Sequence, residues 1–96
     1  MFARVARYAV PEDRSETAVE RFDQAIDTIQ SFDGFIRAYV LVDEERGDLF
    51  TVTLWASLAA LEASEVRAAL LRKAATQAVG GSVEWVRKYS VARTVD

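Results

Sequence analysis

The sequence predicts an α+β domain of the ferredoxin-like class, a βαββαβ sandwich in which two helices cover one face of a four-stranded antiparallel sheet. Two observations support this prediction. Stretches rich in Val, Phe, Tyr and Thr alternate with stretches whose apolar residues recur every three or four positions. The chain has 96 residues, which is enough for one domain with one small core. We therefore expect a single domain over residues 1–96.

Four strands are predicted, over residues 2–10, 35–42, 49–56 and about 82–95. The first ends at Pro11, because proline cannot donate to a strand ladder and restricts the residue before it to extended conformations. The acidic loop over residues 43–48 is typical of a hairpin connection between the second and third strands. The last strand is longer than its neighbours need.

Two helices are predicted between these strands. Asp13 and Glu16 suggest a capping box at the start of the first helix, with Ser15 as a competing cap. Ser57 is expected to cap the second helix, and Ser64 suggests a fresh start that would kink or break it. A glycine follows each helix and supplies the left-handed backbone of a helix end: Gly34 after the first, and Gly80 with Gly81 after the second.

The second and third strands each combine one aliphatic or Phe face with one mixed face that carries aromatic residues, and the last strand has Trp85, Arg87 and Tyr89 on one face. The mixed faces are expected to lie together opposite the helices, and they carry Tyr39, Leu41, Leu49, Trp55, Trp85 and Tyr89. A monomer would expose an apolar patch larger than soluble monomers usually tolerate. We therefore expect a homodimer, sheet against sheet, with the long last strand reaching across to the partner.

The composition excludes several classes of function. The net charge is −3 and the twelve Lys and Arg residues form no run, so nucleic acid is not an expected partner. The chain has neither cysteine nor histidine, which removes thiolate catalysis, disulfides, most zinc sites and the usual neutral-pH base. No metal site and no cofactor are expected. The sequence shows no membrane segment and no signal peptide, so a cytoplasmic location is the default expectation.

Several motifs resemble the dimeric α+β barrel superfamily, and in particular its antibiotic-biosynthesis-monooxygenase-like (ABM) domains. They are Arg21-Phe22, Phe32-Asp33-Gly34-Phe35, Thr53-Leu54-Trp55-Ala56-Ser57 and Ala60-Leu61. The resemblance implies a dimeric barrel and, as one candidate activity, a cofactor-independent monooxygenase acting on a small aromatic or polyketide-like molecule. In the haem-degrading branch, the resemblance places functional Asn, Trp and His residues where this chain has Ala6, Ser64 and Ala74. Haem degradation is therefore not expected, because no histidine can ligate the iron.

Five residues are candidates for binding a substrate: Arg37, Tyr39, Trp55, Trp85 and Tyr89. Each also has a structural interpretation, with Trp55 filling the core or the dimer seam and the others forming inter-subunit contacts. Catalytic residues are not identified by the sequence. A non-catalytic ligand-binding or structural homodimer therefore stays open beside the enzyme. An open cavity between helices and sheet, with Arg or Tyr side chains converging on it, would favour the enzyme, and a filled one would favour the dimer module.

Overall fold

The computed structural model describes residues 1–96 and has the predicted order of elements. They are β1 (Phe2–Ala9), a 3₁₀ turn (Glu12–Arg14), α1 (Ser15–Ile29), β2 (Phe35–Val42), β3 (Leu49–Trp55), α2 (Leu58–Ala78) and β4 (Ser82–Ser90). The four strands form one sheet in the order β2-β3-β1-β4, and every neighbouring pair is antiparallel. The predicted ferredoxin-like fold is therefore confirmed.

The core lies between the two helices and one face of this sheet. On β1 the alternation of side chains turns Arg4, Ala6 and Tyr8 toward the helices, and the ring of Tyr8 packs 4.3 Å from that of Phe22 on α1. A second buried cluster surrounds Trp55 at the far end of β3. The opposite face of the sheet, which we call the open face, carries no helix.

The orientation of β3 differs from the prediction. Its mixed face, which holds Leu49, Thr51, Thr53 and Trp55, is buried under the helices, so the prediction that Leu49 and Trp55 lie beside Tyr39 and Trp85 was wrong. Threonine is compatible with this burial because both hydroxyls are hydrogen-bonded: Thr51 to the Tyr8 hydroxyl, and Thr53 to the indole N–H of Trp55. The wholly apolar residues Phe50, Val52 and Leu54 consequently lie on the open face.

The helix ends follow the predictions in part. The hydroxyl of Ser57 accepts a hydrogen bond from the Ala60 N–H at 3.1 Å, which confirms the cap of α2. The predicted capping box is wrong, because a 3₁₀ turn precedes α1 and no side chain caps it. The predicted break at Ser64 does not occur either. Its buried hydroxyl donates to the Leu61 carbonyl at 2.7 Å, which allows the helix to continue around it.

The last strand is shorter than predicted. β4 ends at Ser90, and residues 91–96 form no regular element. The reason is the length of β1, its only neighbour in the sheet, which begins at Phe2 directly opposite Ser90. Beyond this pair a single hydrogen bond, from the Val91 N–H to the Met1 carbonyl at 2.9 Å, prolongs the contact. Neither helix has the length and apolar character that crossing a membrane requires.

Candidate functional site

A small cavity lies between the sheet and the two helices, and we call it the helix–sheet cavity. Its volume is about 20 Å³, enough for one water molecule. Its polar wall consists of Arg4, Tyr8, Thr51, Thr53 and Arg72. Its apolar wall comes mainly from α1, with Phe22, Ala25, Ile26 and Ile29, and from Ala68 on α2. The arginine and tyrosine side chains thus converge on a space that is nearly filled.

Arg4 is the most unusual residue of this cavity, because its side chain is charged and the residue is only 3% exposed. One terminal nitrogen, Nη2, donates to the Leu61 carbonyl at 2.8 Å and lies 3.6 Å from the carboxylate of Glu65. The guanidinium carbon is 5.8 Å from the ring centroid of Trp55, within the range of a cation–π contact. The buried Nε has no hydrogen-bond partner. Burial lowers the pKa of Arg4, and the charge of Glu65 opposes this effect.

The positive charge of the cavity is only partly neutralised. Arg72 reaches it from α2 and forms no ion pair. Glu65 is the only carboxylate within 4 Å of Arg4, and its side chain is 44% exposed, so water screens it. The cavity is therefore suited to an anionic or electron-rich ligand.

Tyr8 is fully buried, and its hydroxyl lies 2.9 Å from the Thr51 hydroxyl. Burial raises the pKa of Tyr8 to about 12. The phenol is thus neutral at physiological pH. It can donate or accept a hydrogen bond, but it is poorly suited to removing a proton from a ligand.

This shift predicts a loss of stability in alkaline solution. The pKa of Tyr8 rises from 10.0 to about 12 on folding, so its contribution is fully present below pH 10 and is lost as the pH rises from 10 to 12. The loss should reach roughly 3 kcal/mol of unfolding free energy. Urea melts between pH 8 and pH 12 measure it. Tyr8→Phe should flatten this pH dependence, and an equally steep loss in Tyr8→Phe would contradict the assignment.

The five sequence-predicted binding residues lie on opposite faces of the sheet. Trp55 is fully buried on the helix side and is not part of the cavity wall. The other four, Arg37, Tyr39, Trp85 and Tyr89, lie on the open face. There Nη1 of Arg37 donates to the Tyr39 hydroxyl at 3.2 Å, and this bond raises the pKa of Arg37.

The open face also holds a charged and aromatic cluster. Arg7 forms an ion pair with Asp48, and its guanidinium carbon lies 5.8 Å from the centroid of the Phe50 ring. Phe50 in turn forms a T-shaped pair with Trp85, with centroids 6.2 Å apart. The guanidinium carbon of Arg87 lies 4.4 Å from the centroid of a Trp85 ring. These contacts link β3, β1 and β4 across the open face.

The polar residues of the cavity were not among the residues predicted from the sequence to bind a substrate. No role was predicted for Arg4, and Tyr8 was assigned to neither face of the sheet. A signal was present, because Phe2, Arg4, Ala6 and Tyr8 alternate along β1 and one arginine stands between apolar residues on what becomes the core face. Arg72 gave no comparable signal, since an arginine on a helix is usually exposed.

The chain is thus a small α+β domain with a cationic cavity between its sheet and its helices. The sequence model of the family described as antibiotic biosynthesis monooxygenase (ABM) matches residues 1–76. The chain therefore belongs to the ABM family, as its motifs indicated.

Solved structures with the same fold extend over nearly the whole chain. An antibiotic biosynthesis monooxygenase candidate from Deinococcus radiodurans superimposes with a TM-score of 0.79 at 11% identity, covering 100% of this chain and 97% of the other. SnoaB, a cofactor-independent oxygenase from Streptomyces nogalater, gives 0.76 at 17% identity, covering 98% and 95%. A variant of MhuD with two manganese protoporphyrin IX molecules bound per active site gives 0.75 at 22% identity, covering 100% and 99%. At these identities the likeness concerns the fold. No curated protein sequence matches the chain.

Proposed function

We propose that this chain is a cofactor-independent monooxygenase that acts on a small, acidic aromatic or polyketide-like phenol bound in the helix–sheet cavity. The observation that supports this most directly is Arg4, a buried cation with an unpartnered Nε and only a screened carboxylate beside it. An incompletely neutralised buried charge is costly, so a phenolate that pairs with it is stabilised in return. The likeness to SnoaB supports the reaction class.

The chemistry would come from the substrate itself. A phenolate is electron-rich and can give an electron to O₂, after which oxygen and the substrate radical combine. The reaction applies to a phenol whose keto tautomer has a CH₂ group in the ring. This CH₂ group becomes C=O with one oxygen atom of O₂, and the other oxygen atom leaves as water with the two hydrogens. Arg4 would hold the phenolate oxygen of the substrate in place during these steps and lower the pKa of the substrate phenol.

The cavity also indicates how acidic the substrate must be. Tyr8 is neutral and the chain has no histidine, so no group in the cavity wall is a base near pH 7. The substrate would therefore lose its proton to water or to Glu65 at the rim. A substrate whose own pKa lies near neutrality satisfies this requirement, especially once Arg4 has lowered it further.

Binding would require the helices to separate. The cavity of about 20 Å³ is far below the roughly 300 to 1,000 Å³ of ordinary ligand pockets. A surface groove of about 190 Å³ between α1 and α2 shares Ala25 with the cavity, and Ala74, Ala75 and Ala78 line it. Arg21, Gln24 and Leu71 also line this groove, but four of its seven lining residues are alanines, so we place the access route between the two helices.

Arg4→Met tests the proposed function, because methionine keeps an unbranched side chain and removes the charge. We expect oxygen consumption with polycyclic phenols to fall by about 100-fold or more, while the melting temperature stays equal or rises. O-methyl ethers of the same phenols should be inert with the unaltered protein, since they cannot ionise.

Arg37→Met is the matched comparison on the open face. It tests the earlier assignment of Arg37, Tyr39, Trp85 and Tyr89 to a substrate site, and it should leave turnover unchanged. Loss of turnover in Arg37→Met but not in Arg4→Met would contradict the proposal and place the chemistry on the open face.

The open face supports a second part of the proposal, that the protein is a homodimer formed sheet against sheet. Tyr39, Leu41 and Tyr89 are each 45–47% exposed there, beside the apolar residues Phe50, Val52 and Leu54. Such a face is disfavoured in water. The nearly filled cavity of about 20 Å³ favours the alternative function, a non-catalytic ligand-binding or structural homodimer, whereas the convergence of Arg4 and Tyr8 on it favours the enzyme.

Sedimentation at low micromolar concentration should therefore show a species of twice 10.7 kDa. Leu41→Asp should shift it to the monomer, because a carboxylate would be buried in the seam. Leu70→Asp is the control, since Leu70 is exposed on α2, away from the sheet. A monomeric unaltered protein would refute the dimer, and equal dissociation in both variants would refute the sheet-against-sheet seam.

A further inference from the structure

The helix–sheet cavity has more hydrogen-bond donors than acceptors. Trp55 donates its indole N–H to the Thr53 hydroxyl oxygen, which leaves the Thr53 proton free for another partner. In the Tyr8 and Thr51 pair one hydroxyl donates to the other, so one more proton is free. The buried Nε–H of Arg4 has no acceptor. The wall contains no carboxylate, and Arg72 adds a second cation.

We propose that a single halide-sized monovalent anion, chloride under ordinary conditions, occupies this cavity in the resting protein. A halide only accepts hydrogen bonds, so it matches the free donors, and its single negative charge offsets part of the positive charge of the two guanidinium groups. A water molecule fits the volume equally well, but it brings two further donors and no charge to a site that already has a surplus of both donors and positive charge.

The size of the cavity selects among anions. One water requires roughly 10 to 15 Å³ of such volume, so the cavity of about 20 Å³ accepts one water or one ion of similar or slightly larger radius. Sulfate, phosphate and carboxylates with several heavy atoms do not fit without movement of α1. Chloride and bromide do.

The site also has a consequence for turnover, and this part rests on the proposed function. The halide would stand where the phenolate oxygen of the substrate binds, so halide must leave before substrate enters. Chloride and bromide should then raise KM and leave kcat unchanged.

Bromide provides the direct test, because it can be located by its anomalous scattering. Crystals grown in sodium bromide should show one anomalous peak inside the cavity, within hydrogen-bonding reach of Arg4. At constant ionic strength, replacing sodium gluconate by sodium bromide should raise the melting temperature with saturation, since only the halide fits. Thr53→Val keeps the shape, removes one donor to the anion and also removes the acceptor of the Trp55 indole N–H. The rise in its melting temperature from gluconate to bromide, measured against the same variant in gluconate, and its anomalous peak should both be reduced. Arg87→Gln, on the open face, should reduce neither.

The outcomes separate this inference from the proposed function. A cavity that holds only water, or melting temperatures equal in bromide and gluconate, would overturn the anion site even if phenols are oxidised. A bromide peak in the cavity of a protein that oxidises no phenol would uphold the anion site and refute the enzyme. Bromide peaks confined to exposed arginines would also overturn the inference.

Discussion

Replacing Trp55 by alanine is expected to lower the free energy of unfolding by roughly 3 to 5 kcal/mol. The side chain is fully buried, and its ring forms a T-shaped pair with that of Phe35, with centroids 5.7 Å apart. Truncation would leave a large cavity, remove the indole donor to Thr53 and take away the ring beside the Arg4 guanidinium. Small domains have a total stability of roughly 5 to 15 kcal/mol, so this loss could unfold a large fraction of the protein.

Trp55→Phe is the control, since it keeps an aromatic ring and loses only the indole donor and some volume. Urea melts of both variants should show a clearly smaller loss for phenylalanine. A Trp55→Ala protein that is as stable as the unaltered chain but has altered turnover would contradict the structural role. It would instead show that Trp55 borders a space larger than the cavity of about 20 Å³.

The order of the elements could be predicted because each element has its own period of apolar residues. The face that each strand presents to the helices could be predicted only in part. On β2 the alternation indicated that Tyr39 and Leu41 lie away from the core, and they do. On β3 it favoured Phe50 and Val52 for the core. The threonine face is buried instead, because Tyr8 and Trp55 satisfy its hydroxyls, and such pairing between distant residues leaves no mark in the local pattern.

The candidate site was harder to predict than the fold for the same reason. Arg4 lies on a strand surrounded by apolar residues, and only the position of Leu61 and Glu65 on α2 shows that its charge is held inside. The end of β4 likewise depends on where β1 begins, since a strand stops where its neighbour offers no further backbone groups. Motifs of the ABM family identified the fold, and tertiary contacts then decided which polar residues meet.

Replacing Gly34 by alanine is the second change with a large expected effect. Gly34 has φ of +80°, a conformation that costs an alanine about 1 to 2 kcal/mol. A Cβ at this position would also lie 2.4 Å from the Cβ of Ala60 at the start of α2. Relieving this overlap would require the turn to move away from the helix. This movement is opposed by the hydrogen bond that the Gly34 carbonyl accepts from the Ala56 N–H at 2.8 Å. Overpacking of this kind costs about 1 to 3 kcal/mol, so the total should be roughly 2 to 5 kcal/mol.

Two further variants separate the backbone effect from the steric one. Gly47 has nearly the same φ, +79°, but a Cβ there would meet nothing within 4 Å, so Gly47→Ala should show the backbone cost alone. Combining Gly34→Ala with Ala60→Gly removes the overlap at a helix cost of about 1 kcal/mol, so the double variant should be more stable than the sum of the single changes by about 1 to 3 kcal/mol. Urea melts of the unaltered protein, the three single variants Gly34→Ala, Gly47→Ala and Ala60→Gly, and the double variant measure these differences. If Gly34→Ala were no more destabilising than Gly47→Ala, the close packing of this turn against α2 would be refuted.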